Sequence, residues 1–298
     1  MITNRDEHEL GQFIPLHYHY NMLNDRARMT GFKAAIERVV RPGARVLELG
    51  GGTGVLSFFA ARRASRVWCV ERNPALAREA RRILARNPGT EVIEVVEADA
   101  FEYLPPEPVD VVICEMLHVG LLREKQVPVL AAFKERYRRR YAAPMPVFLP
   151  EAVVQAVQPV EQSFDFEGYY APTVLFQDPA AVQPATRELG DPAVFQRFAY
   201  DEALPDRCGW EGTLAIRTPG AVNALRFITK NLLAILVAEG RTLDWFNQYL
   251  IVPLSEPIPV DRGDRLEVRF AYRPGDPLDA LQPEVRPAPS APAASHRG

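Results

Sequence analysis

Helical and extended hydrophobic patterns alternate along the first half of the chain. Across residues 20–40 the apolar positions recur at spacings of three and four, which predicts a helix that ends at the Arg41-Pro42-Gly43 sequence. Short apolar runs and amphipathic segments then follow in turn, so we predict strands at 45–49, 66–71, 91–97 and 109–114 and helices at 55–63, 74–86 and 122–141. This alternation predicts an α/β fold with a mainly parallel, doubly wound, Rossmann-like sheet.

The second half of the chain has short alternating segments and many prolines. It predicts strands at 152–160, 212–217, 221–227, 232–238, 248–253 and 265–272, and hence a β-barrel-like domain. Residues 164–210 are rich in aromatic side chains but weakly periodic, and segments of this length usually have a function or form an interface. Beyond Arg273 the composition is dominated by Pro, Ala and Ser, which predicts a disordered tail.

These patterns divide the chain of 298 residues into parts, and the length itself favours about two domains. The predicted parts are an N-terminal helical segment at 1–40, a Rossmann-like domain at 41–149, a β-barrel-like domain at 150–273 with an arm-like insertion near 164–210, and a disordered tail at 274–298.

Composition limits the classes of partner. The net charge is −3, so no overall field attracts nucleic acid or an anionic membrane, and the basic run at 138–140 fits a helix C-terminus, where positive charge is favoured. The three cysteines lie far apart and the histidines lack ligand spacing, so neither a disulfide framework nor a metal site is expected. The apolar stretches are too short to span a bilayer. We expect a cytoplasmic protein with no membrane or nucleic-acid partner.

A glycine-rich loop at 50–54 (GGGTG) lies between the first predicted strand and the next helix. Backbone in this position can approach a ligand at a helix N-terminus. The dinucleotide fingerprint requires a glycine where Val55 stands, so a nucleoside without a pyrophosphate is the better ligand. Three acids support it: Glu48 precedes the loop, Glu71 is placed for the ribose hydroxyls, and Asp99 is placed for an adenine amino group. The alternative is a plain tight turn with solvated strand ends.

This arrangement resembles the class I S-adenosylmethionine-dependent methyltransferases, which implies S-adenosyl-L-methionine as cofactor. Residues 115–124 (EMLHVGLLRE), which we call the double-glutamate loop, resemble the loop that carries two glutamates in the protein arginine methyltransferases. The segment 19–28 is similar to that family's N-terminal helix, where the matching arginine holds the methionine carboxylate and the histidine borders the cofactor. The cofactor-binding residues that the residue pattern and the resemblance imply are His19, Met22, Arg28, Glu48, Gly50, Gly52, Gly54, Glu71, Asp99, Ala100 and Glu115.

The double-glutamate loop suits a cationic acceptor. A guanidinium is always charged, and carboxylates hold it in a planar, bidentate manner that orients one nitrogen. Fixed anions beside the acceptor also stabilise the positive charge that arrives with the methyl group. We therefore predict that Glu115 and Glu124 are the catalytic residues that clamp the acceptor. The alternative is a helix-start acid at Glu124 and an unrelated strand-end acid at Glu115.

The chain departs from the family at residues 242–245 (TLDW), where the family carries a Thr-His-Trp loop. Asp244 replaces the histidine, so it would face Asp25 as a second carboxylate unless an arginine or a raised pKa intervenes. This departure weakens the case for peptidyl arginine as the acceptor. We assign Asp25, Asp244 and Trp245 to the acceptor pocket, with Trp245 in the core as the alternative.

The sequence thus predicts an S-adenosylmethionine-dependent N-methyltransferase acting on a guanidino or amino acceptor of a protein, peptide or small molecule. The alternatives are transfer to an oxygen, carbon or nucleobase acceptor, or, because of Asp244, a non-catalytic scaffold that binds the cofactor. Residues 164–210 lie where the related enzymes carry a dimerisation arm, so we expect a homodimer.

Overall fold

The computed structural model describes residues 16–289; the predicted N-terminal segment before residue 16 and the tail after residue 289 lie outside the described residues. In this range the α-helices, α1 to α5, are Leu16–Asn24, Arg26–Val39, Val55–Ala61, Pro74–Leu84 and Gln126–Arg140. Single 3-10 turns occur at Val119–Leu121, Val237–Glu239 and Leu278–Ala280.

The helix predicted at 20–40 is two helices that meet at Asp25. The Asp25 carboxylate accepts a hydrogen bond from the backbone N–H of Arg28 at 2.9 Å and so caps the start of α2. The apolar periodicity continues across the break, which explains why the pattern alone predicts one helix.

A five-stranded parallel sheet forms the first half, in the order β3-β2-β1-β4-β5, and confirms the predicted doubly wound fold. Its strands β1 to β5 are Arg45–Leu49, Arg66–Glu71, Ile93–Glu97, Val111–Cys114 and Val147–Leu149. The central strands are buried almost throughout, as is usual where helices cover both faces. The strand order reverses between β1 and β4, which is where such sheets bind ligands at the carboxyl ends of their strands.

The second half is built from antiparallel strands. Strands β6 to β17 are Ala152–Gln162, Asp165–Phe166, Tyr169–Tyr170, Leu175–Gln177, Thr186–Glu188, Ala193–Ala199, Cys208–Ala215, Gly220–Leu236, Arg241–Phe246, Tyr249–Val260, Arg265–Tyr272 and Glu284–Pro287. A seven-stranded sheet has the order β10-β6-β13-β15-β9, with β11 also on β6 and β14 also on β13, and a three-stranded sheet has the order β12-β16-β17. The two sheets face each other through Phe270, whose ring centroid lies 4.9 Å from that of Phe195 and 5.2 Å from that of Phe227.

Three predictions about this half are wrong in detail. The strands predicted at 221–227 and 232–238 are the single strand β13, because the intervening Thr229 and Asn231 are buried polar residues and not a turn. Residues 164–210 are not one irregular arm, since β9, β10 and β11 join the seven-stranded sheet. Residues 274–289 are not a disordered tail, since β17 pairs with β16 and Leu281 is buried in the core. The prolines near Leu281 in the sequence hide this burial from the hydrophobic pattern.

Candidate active site

A cavity lies at the carboxyl edge of the parallel sheet. Its walls come from α1 and α2, the glycine-rich loop, the ends of β2 and β3, and the double-glutamate loop. Every predicted cofactor residue except Gly54 lines it, and so do both predicted catalytic acids. The fold therefore gathers side chains that are up to about a hundred residues apart in sequence around one space.

Two glycines of the loop are required by close approach. A Cβ atom on Gly51 would lie 2.3 Å from Sγ of Cys69, so only glycine lets the loop cross β2 at this distance. Gly54 has φ +80°, and a Cβ there would lie 2.9 Å from Cδ1 of Leu84. Gly54 is the residue before α3 and shapes the turn without lining the cavity, in contrast to the other predicted binding residues.

Glu48 fixes the glycine-rich loop from beneath. Its carboxylate is buried and accepts hydrogen bonds from the backbone N–H of Ser57, at 2.9 Å, and from the Ser57 hydroxyl. Burial raises the pKa of Glu48 to about 7, although the Ser57 bonds favour its charged form. The side chain thus ties β1 to the first turn of α3 and also borders the cavity.

Glu71 and Asp99 are held by backbone groups at the ends of β2 and β3. Glu71 accepts from the N–H of Gly52 at 2.9 Å and from the N–H of Asn73 at 2.8 Å, and burial raises its pKa. Asp99 accepts from the N–H of Phe101 at 2.9 Å, and its other oxygen lies 3.1 Å from Nη1 of Arg72. Both carboxylates are therefore oriented before any ligand arrives, and carboxylate oxygens have further lone pairs for ligand hydroxyl or amino groups.

We predict that Glu71→Ala weakens S-adenosylhomocysteine binding by about 5- to 150-fold, because an unpaired buried polar partner costs about 1 to 3 kcal/mol. Glu97→Ala is the matched control, since exposed Glu97 pairs with Glu71 in the sheet register but does not line the cavity. Calorimetry on both variants and the wild type measures the effect. Equal affinities for all three proteins would contradict the ribose assignment.

Arg28 and Glu115 form a buried ion pair across the cavity. Their side chains are 7% and 9% exposed, and the Nη2 group of Arg28 donates to Oε2 of Glu115. The Nε atom of Arg28 is buried without a hydrogen-bond partner among the described residues, although a guanidinium Nε–H is a strong donor. An anionic group of a ligand in the cavity would satisfy it, which fits the cofactor carboxylate that the resemblance implies.

Glu124 lines the same cavity. Among the side chains that the structure describes, none forms an ion pair with its carboxylate, although the charges of Arg123 and Arg28 act to lower its pKa. Burial, and secondly the charge of Glu115, raise the pKa of Glu124 to about 8. In the double-glutamate loop Glu115 is thus paired with Arg28, whereas Glu124 has no ion pair within the described residues.

The predicted acceptor-pocket residues lie outside this cavity. The indole Nε1 of Trp245 donates to Oδ2 of Asp25 at 3.3 Å, and its ring packs against Phe32 with centroids 6.0 Å apart, which favours the core alternative for Trp245. Nζ of Lys230 lies 2.6 Å from Oδ2 of Asp244. A cation does intervene here, but it is Lys230 and not the expected arginine: Lys230 pairs with Asp244, and Trp245 donates to Asp25. No local feature of the sequence points to Lys230, which is 14 positions from Asp244 and reaches it through the pairing of β13 with β14.

Among the side chains that the structure describes, no three from His, Cys, Asp or Glu come together in a way that could hold a metal ion. None of the helices within residues 16–289 is long and apolar enough to cross a membrane.

The chain is similar in sequence to several known proteins. A family model described as a methyltransferase domain matches residues 46–140. The chain is 33% identical to an uncharacterized protein of Methanothermobacter thermautotrophicus, over 90% of this chain and 97% of that one. It is 28% identical to an arginine N(omega)-methyltransferase of Streptomyces achromogenes, over 86% of this chain and 76% of the other.

Among solved structures, it resembles the Trypanosoma brucei PRMT1 enzyme-prozyme heterotetrameric complex with AdoHcy. The TM-score is 0.70 at 18% identity, over 91% of this chain and 96% of that one. This likeness concerns the fold.

Proposed function

Because the chain belongs to the class I S-adenosylmethionine-dependent methyltransferases and resembles the protein arginine methyltransferases, we propose that it methylates a guanidino or amino nitrogen. The observation that carries the proposal is the pair of acids in the double-glutamate loop. Glu115 and Glu124 line one cavity with the predicted cofactor residues other than Gly54, and of these two acids only Glu115 forms an ion pair within the described part of the chain. Glu124 is left to pair with a cation that enters from outside.

Each cavity residue has a role in this proposal. S-adenosylmethionine, when bound, supplies an electrophilic methyl group on a sulfonium sulfur. Glu71 accepts from the ribose hydroxyls, Asp99 from the adenine amino group, and Nε of Arg28 donates to the methionine carboxylate. The orphaned Nε atom supports the last assignment, because a buried donor without a partner is costly.

Glu115 and Glu124 act on the acceptor. With Glu115 neutralised in part by Arg28, Glu124 holds the guanidinium and directs one nitrogen toward the methyl group. Oε1 or Oε2 of Glu124 then takes the proton that the methylated nitrogen releases, and burial, which raises the pKa of Glu124 in the ligand-free chain to about 8, makes it a stronger proton acceptor than an ordinary glutamate. Glu124 thus has two successive roles: it pairs with the cationic acceptor, and it then accepts the proton.

Two observations bear on the acceptor and on the alternatives. The Streptomyces relative, whose name gives arginine as its substrate, aligns over most of both chains, which supports small guanidino compounds alongside peptides as acceptors. The non-catalytic alternative rested on opposed carboxylates at Asp244 and Asp25, and Lys230 removes that objection. A nitrogen acceptor is therefore favoured over a scaffold role.

A methyl-transfer screen tests the proposal. The purified chain is incubated with S-adenosylmethionine labelled in the methyl group and with free arginine, simple guanidines, primary amines or arginine-containing peptides. Citrulline is the matched control for arginine, because it keeps the shape and lacks the charge. We expect labelled product from at least one cationic nitrogen compound and none from citrulline. Label transferred only to oxygen, carbon or nucleobase acceptors would refute the proposal.

We also predict a homodimer that uses the β7–β8 hairpin. Its aromatic residues Phe166, Tyr169 and Tyr170 are 51%, 73% and 61% exposed, whereas Phe164, which the sequence places with them, is buried in the core. Such exposed aromatic side chains suit an interface core. Light scattering should give a dimer mass that Tyr169→Ser with Tyr170→Ser reduces, while Val182→Ser, at an isolated exposed position, does not. A wild-type monomer at all concentrations would contradict the prediction.

A further inference from the structure

The backbone of the double-glutamate loop follows an unusual path. Gly120, Leu121 and Arg123 have φ values of +70°, +55° and +63°. Side chains with a Cβ atom disfavour this left-handed region, so Leu121 and Arg123 are strained. Strain of this kind persists only where the surrounding structure fixes the conformation, and it concentrates at functional sites.

Two side chains of the β domain fix Gly120. Its N–H donates to Oγ1 of Thr229, on β13, at 2.7 Å, and its carbonyl accepts from Oη of Tyr272, on β16, at 2.7 Å. Thr229 is oriented in turn, because its hydroxyl donates to Oε1 of Gln155 at 2.8 Å. Thr229 and Gln155 are fully buried and Tyr272 is almost so, which makes the loss of one of these hydrogen bonds costly.

The turn after β16 holds the rest of the loop. The N–H of Gly275 donates to the carbonyl of Leu121, and the N–H of Arg123 donates to the carbonyl of Asp276, both at 2.7 Å. On the other side of Glu124, Nζ of Lys125 donates to the carbonyl of Gly275 at 2.9 Å. The residues before and after Glu124 are thus both tied to a segment that lies 150 positions away in sequence.

We propose that Tyr272 and Thr229 are positioning residues. By fixing Gly120, which lies between Glu115 and Glu124 in the sequence, they set the position of Glu124 relative to Glu115. The proposal rests on the proposed function, since it assigns the acceptor clamp to these two acids. Neither Tyr272 nor Thr229 lines the cavity, so their effect passes through the loop backbone and not through contact with cofactor or acceptor. The β domain thereby takes part in catalysis without touching the reacting groups.

Three variants separate this role from general stability. Tyr272→Phe and Thr229→Val each delete one hydroxyl that holds Gly120, and Thr229→Ser keeps the hydroxyl. The matched control is Tyr137→Phe, because the buried Tyr137 hydroxyl also bonds to backbone, at 3.1 Å from N and 3.2 Å from O of Val109, but away from the cavity. The readouts on the full chain are amide hydrogen exchange of residues 116–125, single-turnover transfer at saturating acceptor, and S-adenosylhomocysteine affinity.

We expect Tyr272→Phe and Thr229→Val to speed exchange in 116–125 by about tenfold or more and to slow transfer by about ten- to a hundredfold, the scale that small misplacements of reacting groups produce. Cofactor affinity should stay within about twofold of wild type. Thr229→Ser should keep loop exchange and methyl transfer at the wild-type rates. Tyr137→Phe should also change neither rate, even if it lowers the melting temperature as much as Tyr272→Phe does.

Two results would overturn the positioning role, and a third concerns the proposed function instead. Wild-type exchange and transfer in both Tyr272→Phe and Thr229→Val would overturn the positioning role. Equal slowing of transfer in Tyr137→Phe would also overturn it, because the effect would then be one of stability. If the wild type methylates no nitrogen acceptor, the proposed function fails, and unchanged loop exchange in the variants would still refute the positioning role on its own.

Discussion

Glu124→Gln lowers single-turnover methyl transfer to a cationic acceptor by on the order of a hundredfold or more, the loss expected when one group that stabilises the transition state is removed. The substitution keeps the shape of the side chain and removes its charge and its capacity to take a proton. Since Glu124 has no ion-pair partner in the described part of the chain, nothing else in the cavity is released by the change. S-adenosylhomocysteine affinity should therefore stay near the wild-type value.

Glu115→Gln should behave differently, because it frees Arg28. Transfer falls as in Glu124→Gln, but cofactor affinity also changes, since a buried guanidinium that loses its carboxylate partner is left uncompensated beside the cofactor. Glu135→Gln is the control, because exposed Glu135 has only a loose contact, 3.8 Å, with Arg139. Single-turnover assays at equal cofactor saturation compare the three variants.

Acceptor chemistry gives the comparison a second arm. An oxygen or carbon nucleophile brings no cation to the double-glutamate loop, so Glu124→Gln would leave its methylation nearly unchanged. If both Glu115→Gln and Glu124→Gln transfer methyl to a guanidine at the wild-type rate, the double-glutamate assignment is wrong and the acceptor binds elsewhere.

The parts of the site that follow one another closely in sequence could be predicted. The glycine-rich loop and the acids Glu48 and Glu71 sit at strand ends whose bounds, 45–49 and 66–71, the apolar runs mark without ambiguity. Asp99 follows β3 in the same way. Because the carboxyl ends of parallel strands share one edge of the sheet, these residues lie close together independently of contacts with more distant segments.

Contacts between distant segments could not be predicted from the pattern. The pairing of Arg28 with Glu115 joins residues 87 positions apart, and no local rule says that one acid of the loop is neutralised while the other is not. Thr229 could not be predicted as part of β13 for the same reason, because a polar residue at this place indicates a break between two strands. Its burial is explained by a contact with the double-glutamate loop, because the Thr229 hydroxyl accepts a hydrogen bond from the buried N–H of Gly120.

The second large effect is a dependence of activity on pH. Glu124 must be ionised to pair with a guanidinium, and its pKa in the free protein is raised to about 8. The apparent second-order rate constant, kcat/KM, reports groups of the free enzyme, so it should rise with pH to a plateau above about 8. At pH 6, two units lower, about one molecule in a hundred is ionised, and kcat/KM should be about a hundredfold below the plateau. In Glu124→Gln this rise should disappear.

Stability should move the opposite way with pH. The pKa values of Glu48 and Glu124 in the folded chain, about 7 and about 8, both exceed the ordinary glutamate value, so these two groups bind more protons in the folded than in the unfolded state between about pH 4.5 and 8. Burial lowers the pKa of His118 from 6.5 to about 4, and this group acts in the opposite direction below about pH 6.5. Above about pH 6.5 folding stability therefore falls as pH rises, because burial penalises each carboxylate once it is charged. The melting temperature of the ligand-free protein, measured from about pH 6.5 to 9, where His118 is neutral in both states, should decrease, and Glu124→Gln should flatten the decrease while Glu135→Gln leaves it unchanged. An acceptor cation that pairs with Glu124 should also flatten it. A melting temperature that does not vary with pH in the wild type would show that neither acid carries the burial penalty on which the proton-accepting role of Glu124 depends.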